Sequence, residues 1–222
     1  MENKDYIKTI SDTAERRFFQ SEVRAVVSAD TAETTASIIE GYAAKFNSVT
    51  EIGYYYKFRE KILPGAFDDV LNDDVRCLFN HNPNFILARS VAGKGTLTLS
   101  VDEVGLKYSY ETPDRSYAKD LEDAIAKGDV SQSSFAFDIG EETWTEIDGE
   151  IATRDIVKFK KLYDVAPVTY PAYADTEVAK RSLDAYKEKN KNIPVVDPKE
   201  VRSDNNKELD AFDAQIIINS NL

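Results

Sequence analysis

Ser131-Gln132-Ser133-Ser134-Phe135-Ala136-Phe137 reads as a β-strand that carries hydroxyls and aromatic anchors at fixed positions. Side chains alternate between the two faces of a strand, so Ser133, Phe135 and Phe137 share one face while Ser134, Ala136 and Asp138 share the other. The two phenylalanines draw their face into a core. Ser134 is thereby predicted on the opposite face with only a methyl beside it, an open floor for a substrate. A serine hydroxyl needs a base within hydrogen-bond reach to act as a nucleophile, usually a histidine oriented by a third group. The chain holds one histidine, His81, so there is a single choice of imidazole.

Outward from this stretch the chain reads as a succession of short strands. Strands are predicted at residues 23–27, 37–46, 54–62, 75–81, 85–91, 96–101, 106–110, 130–147, 151–159 and 162–172, with Tyr54, Tyr56, Phe58 and Ile62 on one face of the third. Gly93-Lys94-Gly95 and Asp148-Gly149 are hairpin signals. Pro64-Gly65 breaks the third strand, and residues 66–71 are expected to form a short helix on Phe67, Val70 and Leu71. One longer helix is predicted over residues 116–127, with Asp114 or Ser116 as its cap, a Tyr117, Leu121, Ala124 and Ile125 stripe, and Gly128 as its stop. The expected class is mainly β with some α (α+β): a β-barrel of short, mostly antiparallel strands ringed by a few helices.

The polar residues 1–21 are expected to be a mobile arm, residues 22–179 the folded domain, and the Lys-, Asn-, Asp- and Glu-rich residues 180–222 a largely disordered tail. The 222 residues carry 28 Lys and Arg against 40 Asp and Glu, a formal net charge of -12. That balance argues against nucleic acid or an anionic membrane surface as partner. Met1-Glu2-Asn3-Lys4-Asp5 opens no apolar leader, and no stretch approaches the ~20 apolar residues of a membrane span, so a cytoplasmic protein is expected. Cys77 has no second cysteine to pair with and reads as a small core residue.

One histidine and one cysteine supply no zinc-type ligand cluster, and the pairs Asp73-Asp74 and Glu141-Glu142 read as solvated loops. No metal and no cofactor are expected. Gly93-Lys94-Gly95 lacks the downstream glycine and helix of a phosphate cradle. There remain Ser133 and Ser134, His81 at a predicted strand end, and Asp164 on a third strand entering a proline-rich turn. A Ser/His/acid set drawn from separate strands is how triads assemble, by geometry and not by adjacency in sequence.

Five blocks, in order, resemble one family. Ile39-Glu40-Gly41-Tyr42-Ala43-Ala44-Lys45-Phe46-Asn47, Ile62-Leu63-Pro64-Gly65-Ala66-Phe67, Leu78-Phe79-Asn80-His81-Asn82, Ser133-Ser134-Phe135-Ala136-Phe137 and Val165-Ala166-Pro167-Val168-Thr169-Tyr170-Pro171-Ala172 are similar to the prohead serine proteases of tailed bacteriophages. The resemblance implies a capsid-maturation endopeptidase related in fold to the herpesvirus assembly proteases. It implies action inside the assembling prohead, in the cytoplasm of the infected bacterium. Its partner would be the major capsid protein with its scaffolding region, with self-cleavage and self-association as further expectations. By block, the resemblance assigns His81 as base and Ser134 as nucleophile, and with no second histidine it leaves Asp164 as third member. Two positions depart from the family pattern: Ala136 stands where glycine is common, and Asp164-Val165-Ala166 where Glu-Val-Ser is common. Aspartate is one methylene shorter than glutamate, which shortens its reach to His81. Two other classes are compatible with the same strands: a non-catalytic assembly module, and a serine esterase, against which the absence of a Gly-x-Ser-x-Gly elbow counts.

Overall fold

A computed structural model describes residues 14–19, 23–27, 37–52, 57–145, 151–170, 183–184 and 186–188. Among the described residues twelve strands carry the architecture, and the class is mainly β. β1 (Glu15–Phe19), β4 (Thr50–Ile52), β5 (Phe58–Ile62), β6 (Val75–Leu78), β7 (Ile86–Val91), β8 (Lys94–Gly95), β11 (Gln132–Thr145) and β12 (Thr153–Val168) make an eight-stranded sheet. β2 (Arg24–Val27), β3 (Ser37–Lys45), β9 (Leu97–Val101) and β10 (Gly105–Glu111) make a four-stranded one. Among the described strands the hydrogen bonding does not close into a ring.

The core lies between the sheets. Phe67, Phe135, Phe137 and Phe159 interlock with ring centroids 4.5 to 5.7 Å apart. Each fully buried ring contributes about 1.5–3 kcal/mol relative to exposure. Leu106, Tyr108 and Tyr110 face inward from β10, as their period-2 spacing predicts. Tyr108 shares a 2.9 Å hydrogen bond with Ser133, so that serine's hydroxyl is spent tying β11 to the other sheet. Gly41 makes room for this pair, since a Cβ there would stand 3.1 Å from the Tyr108 oxygen and 3.3 Å from Ser133 Oγ.

The helix α1 spans Ser116–Lys127 and ends on Gly128, whose φ of 83° suits the left-handed cap. Its N-cap is Arg115, with no side-chain cap bond, rather than Asp114 or Ser116. Other expectations are corrected. Residues 66–71 are not helical: the bonds Asp68 N–H to Gly65 O and Val70 N–H to Phe67 O build successive turns that still bury Phe67 and Val70. The two strands expected at 151–159 and 162–172 are one sixteen-residue strand, β12, because β11, β5 and β6 all pair along it. β9 does not return on β7; it leaves for the second sheet and pairs with β10.

The largest departure is at the N-terminal end. Glu15–Phe19, inside the expected mobile arm, is the edge strand β1, antiparallel to β11. Ala14, Glu15, Arg16 and Arg17 are buried. At the other end, Leu183 is buried beside Ile52 and Phe58, and Tyr186 stacks on Trp144, so the start of the expected tail packs on the domain. The Asp148-Gly149 turn, Tyr54, Tyr56 and the remainder of the tail lie outside the described residues.

Candidate active site

β11 and β12 pair with Ser134 opposite Ala166 and Ala136 opposite Asp164. Cross-strand partners share a face, so Asp164 and Ser134 lie diagonally on the surface facing away from the phenylalanines. β6 pairs in parallel with β12, Arg76 and Cys77 opposite Asp164 and Val165. That pairing delivers the chain just beyond β6 to the same place.

His81 does not end a strand. β6 stops at Leu78, and Phe79–His81 forms a tight 3-10 turn in which Asn80 and His81 both have left-handed φ, 54° and 55°. Consecutive non-glycine residues there are strained, and the strain is held by neighbouring bonds. Asn80 Oδ1 accepts the Thr169 backbone N–H at 2.9 Å and its Nδ2 donates to Thr169 Oγ1 at 3.2 Å, fastening the turn to the end of β12. Phe79 N–H donates to Phe85 O at 3.1 Å and closes the loop behind it. Sequence reasoning missed Asn80 as a positioning residue; an asparagine directly before the lone histidine was the available signal, since asparagine tolerates this conformation better than most residues.

The turn places the imidazole between the strands. His81 Nε2 is 2.6 Å from Ser134 Oγ and Nδ1 is 2.5 Å from Asp164 Oδ1. An Nδ1–H donated to the carboxylate leaves Nε2 as the acceptor facing the hydroxyl. Asp164 Oδ2 has no hydrogen-bond partner among the described residues, so the carboxylate's one bond is to the ring. All three sequence-predicted residues therefore meet, and aspartate reaches despite its shorter chain. The floor around them is not open: Ser134 and Asp164 are 0% exposed and His81 3%.

Burial lowers the His81 pKa below its ordinary value, with the Arg16 charge acting in the same direction and Asp164 opposing both. The ring is neutral at pH 7 and able to take a proton. Cys77 is fully buried, and burial, then the Asp164 charge, push its thiol well up, which makes it an inert core residue. Arg76 and Arg89 both turn to Asp74, Arg89 as a fork at 2.7 and 2.8 Å. No group of three or more His, Cys, Asp or Glu able to hold a metal occurs among the described residues, and no described helix is long and apolar enough to cross a membrane.

Hydroxyl, imidazole and carboxylate in this relation are what hydrolytic triads on unrelated folds have in common. Residues 23–189 match the caudovirus prohead serine proteases, and the chain belongs to that family. It is 30% identical over 153 residues to the prohead protease of Enterobacteria phage HK97, a match covering 67% of this chain and 62% of that protein. The bacteriophage T4 capsid assembly protease aligns in three dimensions at a TM-score of 0.41 and 12% identity, covering 71% of this chain and 99% of that one.

Proposed function

We propose that the chain is a serine endopeptidase of prohead maturation that cuts the scaffolding portion of the phage major capsid protein, and itself. One observation carries the reading: a buried His81 bridges Ser134 and Asp164 at 2.6 and 2.5 Å in a member of this family. Ser134 Oγ attacks the peptide carbonyl carbon while His81 Nε2 takes its proton. The same proton passes to the departing amine, and water repeats the sequence on the acyl ester. Asp164 fixes the tautomer and stabilises the imidazolium. The work is done inside the assembling prohead in the infected bacterium, with the capsid protein as partner and self-association of the protease within the shell.

We also infer that the two sheets are parts of one barrel. Supporting this, Val23 N–H, just before β2, reaches Ser131 O just before β11 at 3.4 Å, and Ser133 bonds Tyr108 across the sheets.

Co-expression with the capsid protein tests the activity. Wild type is expected to shorten the capsid protein, and Ser134→Ala to leave it whole, a loss of several orders of magnitude in rate. Processing by neither chain would move the protein to the class of non-catalytic assembly modules.

A further inference from the structure

The Ser134 hydroxyl has a second acceptor besides His81. The Arg17 carbonyl oxygen on β1 lies 2.9 Å from Oγ. β1 runs antiparallel along β11 with Phe18 opposite Ser134 and Arg17 opposite Phe135. An extended segment added to a sheet edge, main chain to main chain, is how many proteins hold a peptide. Here that segment puts a peptide carbonyl on the hydroxyl that the imidazole activates. One hydroxyl proton cannot serve both acceptors. When it points to Nε2, the oxygen's lone pairs are left facing the Arg17 carbonyl.

The side chain beside that carbonyl is also recognised. Arg17 is 2% exposed, and its Nε and Nη2 fork onto Glu60 at 2.6 and 3.0 Å. Nη2 donates to Glu15 as well, and the guanidinium lies 5.6 Å from the Phe137 ring centre. Glu60 comes from β5, a different part of the chain, and Arg154 Nη1 holds it from behind at 3.0 Å. A buried carboxylate presented as a fork suits a guanidinium, and leaving it facing an apolar or acidic side chain is costly.

We propose that β1 is a substrate held in cis, with Arg17–Phe18 as the bond presented to Ser134 and Glu60 as the residue that selects a basic side chain on its N-terminal side. Substrates in trans take the same edge of β11 once β1 has left. The proposal rests on the protease reading above. In the step itself the Oγ–H proton goes to His81, Oγ bonds the Arg17 carbonyl carbon, and the carbon–nitrogen bond to Phe18 breaks as His81 returns the proton to that nitrogen. Water then releases Arg17 as a carboxylate and restores the serine. The product is a chain beginning at Phe18, freed of Glu15, Arg16 and Arg17, the part of β1 that precedes the cut.

The test maps the termini of both proteins by mass spectrometry after co-expression of the full chain with the capsid protein. Wild type is expected to carry a new amino terminus at Phe18 and to cut the capsid protein after Arg or Lys, and Ser134→Ala to do neither. Arg17→Met should slow the cut at its own bond by on the order of 10²-fold or more, and Arg17→Lys by less than about tenfold, because only the first removes the cation that β1 presents to Glu60. Synthetic peptides spanning residues 14–20, with Arg or Glu at the position of Arg17, make the measurement independent of how the variants fold. Only the arginine peptide should be cut. Capsid processing with an intact Arg17–Phe18 bond overturns the assignment in cis, and equal cutting of the two peptides removes Glu60 as selector. Processing of nothing at all overturns the protease reading and this proposal together.

Discussion

β11 separates two buried polar clusters that differ in almost every physical respect. On one face Ser134, His81 and Asp164 form a linear chain, His81 bonded once to each of the other two and one carboxylate oxygen of Asp164 left without a partner among the described residues. On the other, Arg17, Glu15, Glu60 and Arg154 bond crosswise, two formal positive against two formal negative charges. Burial alone would raise the Glu15 pKa, yet the Arg17 and Arg154 charges hold it below the usual carboxylate range. Both arginines are likewise held charged against burial by the glutamates. Balanced charges with several bonds each stay put, whereas a base with one bond at each ring nitrogen can move a proton. The ion cluster fixes the position of β1 and β12; the Ser134–His81–Asp164 chain is the one proposed to react. Breaking one should cost stability, breaking the other should cost rate.

The largest effect is expected from Asp164→Asn. The amide keeps the volume but disturbs the tautomer that presents Nε2 to Ser134, and such a change lowers turnover by about 10⁴-fold. That is about 5.4 kcal/mol on the barrier. Peptide turnover and thermal unfolding measured on one preparation decide it. Turnover within tenfold of wild type would show that the carboxylate does not orient the base.

Arg154→Ala should invert the pattern. Arg154 is 1% exposed, bonds Glu15, Glu60 and Glu142, and lies against the Phe58 and Trp144 rings. Removing it leaves two buried carboxylates sharing one guanidinium, a loss of about 3–5 kcal/mol of stability. Equilibrium denaturation reads this directly. A loss under about 1 kcal/mol would put the cluster in the class of exposed ion pairs and end the contrast.

The two clusters were unequally legible in the sequence. Ser134 could be read because Phe135 and Phe137 fix the alternation, and His81 because it has no rival. Asp164 needed the neighbouring block, since one acidic residue among 40 has no distinguishing pattern. Glu15-Arg16-Arg17 resembles a solvated charge run, and the partner that lets it be buried stands 43 positions away at Glu60. Glu60 shares a face with Phe58 and Ile62, and alternation counted over apolar residues alone passes over it. The length of β12 was hidden by Lys160-Lys161 and Pro167, which mark ends in an isolated strand but are absorbed when neighbours pair along both sides. Phe67, Val70 and Leu71 have helical spacing, and a series of turns buries the first two just as well.

The smallest expected effect separates the clusters by pH. The His81 pKa is lowered mainly by burial, with Arg16 adding and Asp164 opposing, so the folded chain binds this proton less readily than the unfolded chain. Its contribution to stability is therefore fully present above the unfolded value near 6.5 and is lost as pH falls through the lowered folded value, at no more than about 1.4 kcal/mol per pH unit. Glu15 behaves likewise around its own unfolded value of 4.5, so the ion cluster weakens only in more acid solution. Melting temperature against pH for wild type and His81→Gln should run parallel above the unfolded value near 6.5 and diverge as pH falls below it. The acid limb of peptide turnover should fall with a midpoint under 6.5, because only the neutral ring accepts the Ser134 proton. Curves that stay parallel as pH falls below 6.5 would mean that the ring gains its proton as easily in the fold as out of it, and that burial does not set its basicity.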